Sequence, residues 1–274
     1  MNNVFSAKRF GKYFLYDLNN AKNNFGISLL ILGLLPVIVF MVSELFCLLF
    51  GGSFNLNPEA TLPGRVTAAV TAVTVVVMVG PAKLYGHITE KRAGSSFLML
   101  PASTFEKWLS MVLMTIIVMP LCFGIVYLCS DTIMGLIFPN SFGTPFTKLP
   151  AEYAEYFNNA VAGDLNLHFN LGGIGFANWC MYVLFFTLGT VVFKKAKVGK
   201  SILVLFVLGM LYSTILAAVI GISAGEDLEA FINFPDLDPE EAIRIFVNFC
   251  RVVMAVEIAA LLALLYWRLR TIKQ

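Results

Sequence analysis

Long apolar runs alternate with short polar connections along the whole chain. Six runs reach the roughly 20 apolar residues a helix needs to cross a bilayer, at about 27–50, 66–86, 108–129, 174–193, 201–222 and 249–267. Each is continuous rather than alternating with period two. A spanning segment must satisfy its own backbone hydrogen bonds, so the pattern predicts helices and excludes a barrel. The expected fold class is an all-α integral membrane protein with six transmembrane helices, forming one transmembrane domain over 1–274.

Residues 1–26 differ from the runs. Phe10, Phe14, Leu15 and Leu18 recur at helical spacing with Lys8, Arg9, Lys12 and Asp17 between them. This predicts an amphipathic helix lying in the cytoplasmic interface, or else a plain extension of the first span. The first run has no small-residue cleavage site behind it, so it is expected to stay as a span rather than leave as a signal peptide.

The connection from His87 to Trp108 is the most informative polar passage. Ser103-Thr104-Phe105-Glu106 has the spacing of a capping box, in which serine accepts from the third backbone amide and glutamate reaches back. Pro101 disfavours helical geometry at Leu100, and Gly94 is a flexible point. A short helix near 89–99, a break at Leu100–Pro101 and a fresh start at Ser103 are predicted. An inserting knob and a simple turn between two spans both fit these residues.

Further along, Pro36, Pro81 and Pro120 are expected to kink or interrupt their helices. The outer stretch 130–173 contains short capping helices in this reading. Asp238-Pro239-Glu240-Glu241 has a capping acid, proline at the first helical position and acids in the first turn. The last span is therefore expected to begin above the membrane as one long helix.

Composition agrees with the runs, since 58% of the 274 residues are hydrophobic and 13% charged. Charge adds an orientation, because Lys and Arg collect on the cytoplasmic side of short loops. Fifteen of the 19 basic residues fall on one side in this topology, leaving Arg65, Lys148, Arg244 and Arg251 on the other. Both termini are thus expected in the cytoplasm. The net charge of +2 conceals this asymmetry.

Chemistry-bearing residues are few. The five cysteines contain no Cys-x-x-Cys pair and read as small packing residues. Lys197-Val198-Gly199-Lys200-Ser201 imitates the end of a phosphate loop, but Lys194 stands where the first glycine belongs, so the segment reads as a basic inner loop. Glu240-Glu241-Ala242-Ile243-Arg244 is one residue short of a membrane-protease pattern. His87 and His168 lie on opposite sides. Catalytic, metal and cofactor-binding residues are not expected, nor is nucleic-acid binding.

Glu44 and Glu257 lie inside predicted spans, where an acid costs about 3 kcal/mol on insertion scales. They sit about 9 Å and about 12 Å below the outer helix ends. One shared outward cavity for a cation is one reading, and separate hydrogen bonding to neighbouring helices is the other. Thr67, Thr71 and Thr74 share a face of the second span, which either packs closely or lines a polar path.

The run Glu90-Lys91-Arg92-x-Gly94, then Leu98-x-Leu100-Pro101-Ala102-Ser103-x-x-Glu106-Lys107, resembles the cytoplasmic coupling region of ABC-2-type permeases. The six-span plan and amphipathic start resemble that family too. Ser95 and Ala102 depart from its usual threonine and valine, which leaves the substrate open.

The resemblance implies that Glu90, Lys91, Arg92, Gly94, Leu98, Leu100, Pro101, Ser103, Glu106 and Lys107 seat against a separate ABC ATP-binding subunit. That partner would hold ATP and Mg²⁺. A second permease subunit, identical or related, would complete an export path including polar positions of the first, second and fifth spans. The alternatives are an ion-coupled carrier using Glu44 and Glu257, and a non-transporting scaffold whose acidic outer loops recruit a partner.

Overall fold

The computed structural model describes residues 5–51, 58–90, 94, 97, 99–147, 171–220 and 239–272. Its elements are α1 (Ala7–Gly33), α2 (Leu35–Gly51), α3 (Pro58–Tyr85), α4 (Thr104–Leu113), α5 (Met119–Ile137), α6 (Pro139–Phe142), α7 (Leu171–Val192), α8 (Lys197–Ile220) and α9 (Pro239–Thr271). A 3₁₀ turn, Gly86–Thr89, follows α3, and a π-helical turn, Met114–Val118, joins α4 to α5. There is no strand among the described residues. Five helices are long and apolar enough to cross a membrane, or six if the bent pair α1–α2 counts as one span.

Proline sets the breaks, though not always where expected. Nothing between residues 23 and 28 removes a backbone donor, so α1 runs through the expected boundary at 26 and ends only at Gly33. Pro36 has no N–H, and its ring crowds the carbonyl four residues back. The chain bends there by 44°. The amphipathic segment and the start of the first apolar run are therefore one helix, which agrees with the extension of the first span rather than with a separate helix ending at 26.

Pro120 is handled by the π turn, where Met119 N–H donates to the Met114 carbonyl five residues back. The widened turn lies just before the position at which proline has no N–H to donate. Pro81 leaves α3 uninterrupted, and the helix ends at Tyr85. The last helix starts at Pro239 and runs for 33 residues, about 50 Å at 1.5 Å per residue. Part of the expected outer stretch is helical, because α5 continues to Ile137 and α6 follows it. The remainder of that stretch over 148–170, and the acidic stretch over 221–238, lie outside the described residues.

The helix α7 is the centre of the bundle, packing on α3, α8 and α9, while α1 packs on α3, α4 and α5. The core at their contacts is built from Ala72, Val76, Met111, Met114, Val183, Leu184 and Leu265. By contrast, Leu203, Phe206, Met210 and Leu211 on α8, and Phe249, Val252 and Val256 on α9, are exposed. Such a continuous apolar face requires apolar cover.

Helices surrounded by lipid gain no hydrophobic drive from meeting each other, so close packing and polar junctions must hold them. Gly189 shows how close α7 and α8 come, because a Cβ there would meet Ser201 Oγ. Gly189→Ala is expected to cost about 1–3 kcal/mol through overpacking, and Ser201→Gly in the same chain should recover most of it. Thermal unfolding in detergent checks this; an unchanged midpoint in the single variant would refute the close contact.

Candidate functional site

The passage between α3 and α4 is built from breaks and restarts. After the 3₁₀ turn, Glu90 is extended at φ −88° and ψ 138°. Gly94 N–H then donates to the Glu90 carbonyl at 2.8 Å, and Gly94, Phe97 and Met99 are helical. Leu100 and Pro101 form the bend, as the proline requires. Gly94 and Phe97 are buried, Leu100 is half-buried and Met99 is exposed. Lys91, Arg92 and Leu98 of the expected coupling set lie outside the described residues.

The restart is the capping box read from the sequence. Glu106 N–H donates to Ser103 Oγ at 3.2 Å, and Ser103 N–H donates back to Glu106 Oε2 at 2.8 Å. The same carboxylate does more than cap. Arg9 donates to it twice, from Nε to Oε2 and from Nη2 to Oε1, each at 2.7 Å. Ser6 N–H donates to Oε1 at 2.9 Å. Glu106 is 0% exposed, and its two oxygens collect donors from the start of α1 and from its own helix start. A bidentate arginine fork fixes orientation as well as distance.

Lys107 points the other way. Its Nζ donates to the Phe97 carbonyl at 2.6 Å and lies 4.8 Å from the centre of the Phe97 ring. The helical turn before the break is thereby tied to the helix after it. Trp108 Nε1 donates to the Leu262 carbonyl of α9 at 3.2 Å. Three successive residues thus connect α4 to α1, to the preceding turn and to α9.

Two further polar junctions were not read from the sequence. Asp17, taken only as a polar residue of the amphipathic segment, is buried and accepts from Tyr85 Oη at 2.8 Å and Ser110 Oγ at 2.7 Å. It joins α1, α3 and α4. At the other end, Arg65 Nη2 pairs with Asp131 Oδ1 at 2.7 Å, both buried. Arg65 Nη1 also donates to the Phe142 and Thr144 carbonyls, and Asp131 Oδ2 accepts from Phe146 N–H.

The charge pattern places Arg65 among the outer-side basic residues, and the structure buries it. Its position near the end of one apolar run, with Asp131 near the matching end of the next, was an available signal that the two pair.

The expected path residues are not gathered in one place. Thr67, Thr71 and Thr74 donate to the carbonyls of Pro63, Thr67 and Val70 within α3 and lie on its exposed side. Glu44 is buried, with Oε2 lacking a partner, whereas Glu257 is exposed on α9. Neither carboxylate lines a described cavity. The Lys197 segment is the first turn of α8 rather than a loop. All five cysteines are free thiols, with Cys180 buried and Cys122 and Cys129 exposed.

No family model matches the chain, and no curated protein or solved structure matches it.

Breaking the Arg9–Glu106 junction is expected to release the start of α1 before it unfolds the bundle. Arg9→Ala and Glu106→Gln should each raise hydrogen exchange at residues 6–10, with a coupling of about 1–3 kcal/mol in the double-mutant cycle. Additive effects would mean the two side chains do not act together.

Proposed function

We propose that this chain is the membrane-spanning permease subunit of an ABC transporter of the ABC-2 type, acting in export across a bacterial inner membrane. The observation that carries the reading is the broken passage between Tyr85 and Thr104, which restarts in a capping box whose glutamate also holds Arg9. A loop that only reverses direction has no need of a buried carboxylate serving two helices. Here a push on the passage would reach α1 through Glu106 and α9 through Trp108.

In this reading a separate ATP-binding subunit, carrying ATP and Mg²⁺, seats against the accessible part of the passage Glu90–Lys107, at exposed Glu90 and Met99 and half-buried Leu100, while buried Glu106 and Lys107 brace it from within. Both termini face the cytoplasm. A second permease subunit covers part of the exposed apolar surface of α8 and α9, and the threonine face of α3 turns toward the path. ATP hydrolysis belongs to the partner.

A second reading, the ion-coupled carrier, is favoured by one observation: Glu44 is 8% exposed and its Oε2 has no hydrogen-bond partner. Such an oxygen inside an apolar helix is a place where a cation would be welcome. A carrier would work without any ATPase.

Co-purification with the ATPase encoded nearest to this chain, followed by ATP hydrolysis in lipid, separates the two. A stable complex is expected, with assembly or activity lowered about tenfold or more by Leu100→Asp and more mildly by Glu90→Ala. A folded chain that binds no candidate ATPase, and whose transport in vesicles is lost on Glu44→Gln, would overturn the permease reading.

A further inference from the structure

One cavity adjoins the start of the coupling passage, at His87 and Glu90, and is not lined by the acids in the spans. It is an open basin of about 770 Å³ at the end of the bundle where α3, α7 and α8 meet the flank of α1. Five segments of chain converge on it. Asn20 and Asn24 come from α1, Lys83 from the last turn of α3, His87 from the 3₁₀ turn, Lys194 from the connection after α7, and Lys197 from the first turn of α8.

The charge of the basin is one-sided. Glu90 also borders it, but that carboxylate faces Lys197 at 3.8 Å, and Lys197 donates to the Gly86 carbonyl as well. Lys197 is thus part of the wall. Lys83 and Lys194 are exposed and have no acidic partner among the described residues. Along the α1 side, Asn24 Nδ2 donates to Asn20 Oδ1 at 3.1 Å, which lines the wall with amides rather than carboxylates.

An excess of ammonium groups facing one concave space, with neutral amide and imidazole groups between them, suits a compact anion better than a cation or an apolar ligand. The volume far exceeds that of a single inorganic anion and has room for a larger esterified group. Basic pockets between membrane helices on the cytoplasmic side bind lipid head groups through this chemistry.

We propose that the basin binds a phosphate-bearing anion, seated between Lys83 and Lys194 with Asn20 and Asn24 as neutral donors. A phospholipid head group from the adjoining leaflet and a soluble phosphate would meet the same groups. The proposal rests on the membrane-spanning reading of the helices and not on the ATPase, so its test needs this chain alone.

The full chain is placed in nanodiscs of phosphatidylcholine, with and without phosphatidylglycerol, and retained lipid is measured by native mass spectrometry. In parallel, inorganic phosphate is titrated into the phosphatidylcholine discs and the thermal midpoint followed. The variant pair Lys83→Gln with Lys194→Gln is compared with Lys195→Gln with Lys200→Gln, which removes the same charge from residues that do not line the basin. All four lysines are exposed, and size-exclusion profiles confirm that both double variants fold.

Retention of phosphatidylglycerol that weakens roughly thirtyfold in the first pair and survives in the second supports the site with a lipid source. A midpoint shift with phosphate, lost in the first pair only, supports a soluble source. Absence of both signals, or equal loss in the two pairs, overturns the proposal. Either result leaves the co-purification with an ATPase unaffected, so the two readings fail separately.

Discussion

A carboxylate cut off from water must be met by enough donors to replace it, and Glu106 shows what that requirement builds. Its two oxygens take Arg9, Ser6 and Ser103. Those donors come from the start of α1 and the start of α4, so neither helix start can be placed without the other. The next residue, Lys107, is under the same constraint with opposite sign and satisfies it at the Phe97 carbonyl. A polar connection becomes a braced corner because two adjacent charges reach in different directions.

The same logic recurs away from the corner. Asp17 is satisfied by Tyr85 and Ser110, and Arg65 by Asp131 and the carbonyls of the α5–α6 segment. Buried pairs of this kind add little net stability against an apolar replacement, but losing one partner is costly, so they act chiefly to specify arrangement. In a bundle whose outer faces are as apolar as its core, that matters more than in water. Side-chain hydrophobicity alone cannot tell α8, largely uncovered, from α7, packed on three sides. The polar junctions can, because each has one geometry.

The polar junctions are unevenly distributed. The junctions cluster at the two ends of the bundle, while α8 and α9 present long uncovered faces. A displacement applied at Leu100 would be carried by α1, α4 and α9 as connected parts. The uncovered faces are where surroundings, lipid or another subunit, must supply the missing contacts.

Most element types were legible, since their signals are local. Apolar runs of sufficient length marked the long helices. Pro36 marked the bend between α1 and α2, Pro101 with Ser103 and Glu106 marked the restart of α4, and Pro239 marked the start of α9. Where a local signal was absent the reading slipped, as at residue 26, where hydropathy changed but nothing interrupted the backbone. Glu44 and Glu257 were legible as acids inside spans, yet no local pattern could say that one would be buried and the other exposed.

By itself the sequence determined that this chain is helical, where most of its helices begin and break, and that its polar groups are few enough to need partners. Only the tertiary structure decided which partners they took. Arg9 meets Glu106 across 97 residues, Tyr85 meets Asp17 across 68 and Arg65 meets Asp131 across 66. Capping, proline breaks and apolar length act within a turn or a single helix and can be read along the chain. The choice of partner depends on which helices pack together and how each is rotated, and one helix's own sequence does not carry that information.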